Sequence, residues 1–184
     1  MKRLITALLA LVVALCALSG SAGAYYMEPY ENRKTAAHMV AETARAVGYT
    51  DDSAVIQAAQ ADWWAAQTQI DTQLDLLARV VWFEAGSSWI SDRQQQLVAA
   101  VVINRCNDSR FPGTISGVVY QKGQYSCSGK LYSISRSNIP ARCYSNAMAA
   151  AYGQVDCPSN VIFQAAFKQG RVYEHGFNTW FCYG

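Results

Sequence analysis

Histidine is scarce in this chain: His38 and His175 are the two copies, far apart, and no Cys-x-x-Cys pair occurs. That spacing does not supply a zinc site. A Cys–His nucleophile would have to use His175, and no local motif singles out a cysteine for it. Charge is sparse too, at 15% of residues. Once Lys2 and Arg3 are set aside, basic and acidic side chains balance. Balanced charge gives no electrostatic basis for binding nucleic acid or a membrane surface. There is no internal repeat and no low-complexity segment. The apolar run from Leu4 to Leu18 is too short for a membrane span, so stable membrane insertion is not expected.

That run follows Met-Lys-Arg and precedes Ser-Gly-Ser-Ala-Gly-Ala, with small residues at Ala22 and Ala24. The order of positive start, apolar stretch and small-residue site predicts a signal peptide over residues 1–24. Cys16 sits behind bulky Leu15 with no small-residue box, which argues against a lipoprotein. The exported product is expected outside the cell or in the cell wall, with roughly 160 residues, one domain and a small appendage. It keeps Cys106, Cys127, Cys143, Cys157 and Cys182. Export permits disulfides. Five is odd, so at least one thiol should be free or pair between molecules, and the spacing does not fix a connectivity.

Tyr25 to Asn32 shows no periodicity. Arg33 to Val47 reads as a helix with Ala37, Val40, Ala41 and Ala44 on one face, closed by Gly48. A second helix is expected from Asp52 or Ser53 to about Gln69, carrying Trp63 and Trp64. Residues 25–70 thus form an N-terminal helical segment, packed on the main domain or serving as a spacer. The Trp pair is expected to pack against something.

The main domain is expected over 71–184. Thr72 and Asp75 resemble a capping box that starts a helix ending at Glu84 and Ala85, with Gly86 as a left-handed stop. Ser91 and Gln94 cap a helix to about Cys106 that is apolar almost all round, hence buried and central. Phe111-Pro112-Gly113 is a turn. Ile115–Tyr120 is a helical turn or a strand, Gly123–Ser126 a loop, and Ser145 to Gly153 a helix. Asn160–Gln164 and Thr179–Tyr183 read as strands, with Gly170 and Gly176 at turns. The fold class is α+β, mostly helical, with a small β element.

Glu84 is the candidate catalytic residue. It closes an amphipathic helix whose stripe includes Leu74, Leu77, Ala78 and Val81. A helix C-terminus disfavours an anion. Apolar Trp82, Phe83 and Trp89 would desolvate it further. Both effects favour the protonated acid that glycosidic-bond cleavage needs. Glycoside hydrolysis normally uses two carboxylates. Yet Asp71, Asp75, Asp92, Asp108, Asp156 and Glu174 offer no partner at a diagnostic spacing.

Leu76-Leu-Ala-Arg-Val-Val-Trp-Phe-Glu-Ala, Gln96-Leu-Val-Ala-Ala-Val-Val-Ile-Asn-Arg, Arg110-Phe-Pro, Gly117-Val-Val-Tyr-Gln and Gly123-Gln-Tyr-Ser occur in this order. Together with the closing Gly176-Phe-Asn-Thr-Trp-Phe-Cys they resemble the spore cortex-lytic type of bacterial cell wall hydrolase, over about residues 74–184. The resemblance implies a two-lobed lysozyme-like fold and cleavage of the peptidoglycan glycan strand after N-acetylmuramic acid by lytic transglycosylation. The glutamate at 84 would act as acid and then base. One carboxylate then suffices, and no metal or cofactor is implied. Gln124, Tyr125 and Ser126 match the family's Gln-aromatic-Ser loop, expected across the cleft as sugar-binding groups or else as a hydrogen-bonded turn. Phe163 and Gln164, on a strand facing the cleft, are further substrate-binding candidates, with core packing the alternative for Phe163. Asn104 and Arg105 are expected to satisfy backbone groups at a helix end. The family commonly has a second glutamate where Ser88 stands. That departure, with no separate wall-binding repeat, leaves a non-catalytic peptidoglycan-binding wall protein as the alternative.

Overall fold

The computed structural model describes residues 25–184, so the expected signal peptide over 1–24 lies outside the described residues. They fall into two compact units, one ending at Asp71 and one running from Thr72 to Gly184.

In the first unit, α1 spans Glu28–Ala46 and α2 begins at Ala54. Helix α1 starts earlier than its apolar stripe predicts. Pro29 stands at the first helical positions, where its missing N–H costs nothing, and Glu28 and Glu31 favour the positive helix end. Ala41, Ala44, Ile56 and Ala59 form a small core, with Val40, Tyr49 and Val55 packed on it. Alanine faces let two helices approach closely. Gly48, at φ 91°, takes the left-handed turn between them. Arg33 pairs with Asp62, and Lys34 lies over the Trp63 ring at 5.0 Å. Trp64 is exposed, against the expectation that both tryptophans pack.

Helix α2 is one continuous element, Ala54–Ala85, of 32 residues. The expected break near Thr72 is absent because no glycine or proline interrupts the segment, which is rich in helix-favouring Ala, Gln and Leu. Asp75 therefore caps nothing. It pairs with Arg79 one turn on and accepts a hydrogen bond from Tyr144.

In the second unit, α3 (Asp92–Asn107) is the buried centre, with every residue from Leu97 to Cys106 shielded from solvent. Ser91 Oγ caps it by accepting from Gln94 N at 3.2 Å. Around it pack α4 (Ile115–Tyr120), α5 (Ala141–Ala151) and the strand β1 (Val161–Ala165). Thr114 caps α4, settling that segment as helix. Helix α5 begins at Ala141 rather than Ser145, directly after Pro140. Two 3₁₀ turns, Ser128–Ser133 and Arg136–Asn138, fill the long connection before it.

The sheet has three antiparallel strands in the order β1-β3-β2, with β2 at Val172–Gly176 and β3 at Thr179–Tyr183. Strand β2 is the one the sequence did not announce. Asn104 Nδ2 donates to the carbonyls of Pro158 and Val161, both at 2.9 Å, and Arg105 Nε to that of Ile162 at 2.8 Å. These two residues do satisfy backbone, but that of the sheet rather than of their own helix. They fix β1 against the end of α3.

Candidate active site

Glu84 occupies the last turn of α2. Gly86 follows, and it is not in the left-handed region. A side chain there would collide with the carbonyl oxygen and indole ring of Trp82, so close approach demands glycine. The end of the helix is tied down from inside. Gln95 Nε2, fully buried on α3, donates to Ala85 O at 2.8 Å. Gln95 Oε1 in turn accepts from Asn146 Nδ2 at 2.8 Å, and Asn146 also reaches Asp92. An orphan helix carbonyl is thereby satisfied by a network that crosses from α2 through α3 to α5.

The Glu84 side chain is exposed to a cavity of about 500 Å³. Trp82, Phe83 and Trp89 line that cavity with it, rather than burying the carboxyl as expected. Across from Glu84, Gln164 Nε2 on β1 lies 3.5 Å from Glu84 Oε2. Neighbouring Phe163 is on the other face of the strand, with its ring against Gly184. Phe163 is half-buried there.

The 123–126 loop divides. Gln124 and Ser126 are at the surface, while Tyr125 is buried, its ring 5.4 Å from the Arg105 guanidinium. Burial raises the Tyr125 phenol, and the nearby Glu84 charge adds to that. Tyr125 thus supports the site from the protein side and presents no open face for stacking. The next residue was not foreseen. The Cys127 thiol is buried and pushed up to about 12, first by burial and then by the Glu84 charge and a hydrogen bond with that carboxylate. A lone cysteine in a loop carries no sequence signal for such a role.

Four of the other carboxylates are committed elsewhere. Asp75, Asp92, Asp108 and Glu174 pair with Arg79, Arg142, Arg110 and Arg93 respectively. Arg110 holds the Asp108 carboxyl down at about 2. Among the described residues Glu84 has no such ion pair. His175 stacks on Trp180 at 3.8 Å, and Cys182 sits opposite Val172 on the ladder. Cys127, Cys143, Cys157 and Cys182 are free thiols. No described helix is long and apolar enough to cross a membrane.

A long helix ending in a cavity-facing glutamate, a buried central helix and a small sheet across the cavity define a mostly helical, lysozyme-like α+β domain. The crystal structure of the catalytic domain of the Bacillus cereus SleB protein is similar, with a TM-score of 0.51 at 20% identity, over 61% of this chain and 90% of that one. No curated protein matches the chain. Residues 89–180, half of the chain, match the family described as Cell Wall Hydrolase, and the chain belongs to that family. It is a peptidoglycan-acting enzyme by class. The matched range includes Gln124–Ser126, Phe163 and Gln164, and begins after Glu84.

Proposed function

We propose that this protein cleaves the peptidoglycan glycan strand after N-acetylmuramic acid as a lytic transglycosylase, with Glu84 as the single acid and base. Glu84 protonates the glycosidic oxygen as the bond to the anomeric carbon breaks. The carboxylate so formed takes the proton of the muramic 6-hydroxyl while that oxygen attacks the same carbon. The product is a 1,6-anhydro sugar, and Glu84 is protonated again. The observation that carries this reading is the isolation of Glu84: it faces the cavity, while four of the other carboxylates of the unit are held in arginine pairs. A one-carboxylate mechanism fits such a site. Export to the wall, read from residues 1–24, would bring the enzyme to its substrate.

Purified peptidoglycan digested with the chain and with Glu84→Gln tests this. Loss of a general acid costs ~10²–10⁴ in rate. Equal rates would remove Glu84 from the chemistry. Mass spectrometry of the products then separates anhydro ends, made by transglycosylation, from reducing ends, made by hydrolysis. Ser88, exposed where the resemblance has a second acid, keeps one rival in view. Binding to insoluble peptidoglycan with no release of soluble fragments would favour a non-catalytic wall protein.

A further inference from the structure

The turn between β2 and β3 is unusual. Phe177 sits there at φ 39°, the one non-glycine residue among those described with positive φ. A bulky side chain avoids this conformation, whereas glycine or asparagine takes it freely. Nothing in the packing rewards phenylalanine, since its ring is 64% exposed. The turn is nevertheless held firmly. Buried Gln94, in the first turn of α3, donates through Nε2 to Gly176 O at 2.8 Å. A side chain on Gly176 would press on that carboxamide at 3.1 Å. The fold therefore fixes the turn and points an unpacked aromatic ring outward.

The same cavity is lined by a second open ring, Trp89, at 70% exposure, and by Asn178, Thr179 and Glu84. Glu84 is the sole charged residue of that lining. No cation is there to receive a phosphate or an acidic peptide. Open aromatic faces beside short polar groups suit a neutral ligand with one apolar face and hydroxyl or amide edges. A pyranose ring has that character: its axial C–H bonds stack on aromatics and its substituents hydrogen-bond at the rim.

We propose that Phe177 and Trp89 form an aromatic subsite that grips an N-acetylated hexosamine of the glycan strand next to the bond cleaved at Glu84. The subsite rests on the function proposed above, because the strand must lie along this cavity to reach the acid. The strain at Phe177 is then retained for what its ring binds rather than for folding.

The test uses peptide-free glycan strands, prepared from peptidoglycan with an amidase, titrated calorimetrically into the Glu84→Gln protein. Adding Phe177→Gly or Trp89→Ala to it should weaken binding ~10-fold each, in line with aromatic contact energies. Phe177→Tyr should bind like the parent. Phe177→Gly should also raise the urea midpoint, by relieving the turn; a residue kept for packing would lower it. Undiminished binding by Phe177→Gly, or no binding by the parent, overturns the proposal. The two proposals fail separately. If Glu84→Gln still cleaves, the acid assignment falls, while a raised KM in the Phe177 variants of the otherwise native chain still reports the subsite.

Discussion

Gln164 Nε2 approaches Glu84 Oε2 to 3.5 Å, so that β1 reaches across to the carboxylate at the end of α2. The distance is at the outer limit for an N–H···O bond. Catalytic hydrogen bonds are often long before substrate binds and tighten afterwards. Gln164 Oε1, the acceptor end of the amide, is buried with no partner, so Nε2, the donor end, is the one turned to the carboxylate. Gln164→Met keeps the length and removes both functions. It should lower kcat/KM about 10-fold, as expected for one hydrogen bond to a charged group. Release of soluble fragments over time measures it, and an unchanged rate would leave Gln164 a bystander.

Cys127 reports on Glu84 without any turnover. Its thiol is pushed up to about 12 by burial and by the neighbouring carboxylate. Native Cys127 should therefore resist alkylation at neutral pH, because the thiolate is the nucleophile. In Glu84→Gln the burial remains but the charge goes, so the alkylation profile of Cys127 should move to lower pH. Site-resolved mass spectrometry over a pH series reads this for each of the five thiols. Coincident profiles in the two proteins would mean that the thiol does not face the carboxylate.

The buried Gln95 network positions the acid from behind. Gln95→Leu leaves Ala85 O without its partner and Asn146 Nδ2 with Asp92 alone, and an unsatisfied buried polar group costs about 1–3 kcal/mol. Urea unfolding should register a loss of that size. Glu84 precedes Ala85 directly, so kcat should fall as well, with KM moved less. Asn146→Ala, which leaves the Ala85 bond in place, should lose stability with a smaller effect on kcat. Equal kinetic losses in the two variants would show that the network serves folding alone.

Some of this was legible in the chain and some was not, for definite reasons. The stripe through Leu74, Leu77, Ala78 and Val81 marked the face of α2 that is buried in the second unit, and put Glu84 in the last turn. The apolar run at Leu97–Ile103 announced the central helix, and Ser91 its cap. Thr72 and Asp75 misled, since a capping pattern inside a segment without glycine or proline does not interrupt a helix already under way. Gly86 was assigned by conformation, but its need is steric, set by Trp82. Tyr125 stands in a polar loop, and only the fold turns its ring inward toward Arg105. Phe177 breaks the local rule for its turn, and no periodicity marks such a residue. Rule-breaking positions of that kind are expected at functional sites.

Asp75 contributes to the acid sensitivity of the domain, alongside Asp92 and Asp108, whose carboxyls are also held below the ordinary value. Burial raises the Asp75 carboxyl, but hydrogen bonds from Arg79 and Tyr144 and the charges of Arg79 and Arg136 outweigh that, leaving it below the ordinary 3.8. A lowered carboxylate adds stability that is fully present above 3.8 and is lost as pH falls from there through the folded value. The partner phenol sets an opposite edge. Burial and then Asp75 push Tyr144 up to about 12, so its contribution holds below 10.0 and is lost as pH rises through about 12. Arg79 also donates to the carbonyls of Leu131 at 2.8 Å and Ile134 at 2.7 Å, so the pair anchors the long connection before α5. Asp75→Asn leaves a buried guanidinium without its counter-charge and should cost roughly 3 kcal/mol at neutral pH. Its stability should then change less than that of the native protein between pH 4 and pH 2, so the two curves converge on the acid side. Urea unfolding followed at a series of pH values checks this. Parallel curves through the acid range would mean that Asp75 does not contribute to the acid sensitivity of the fold.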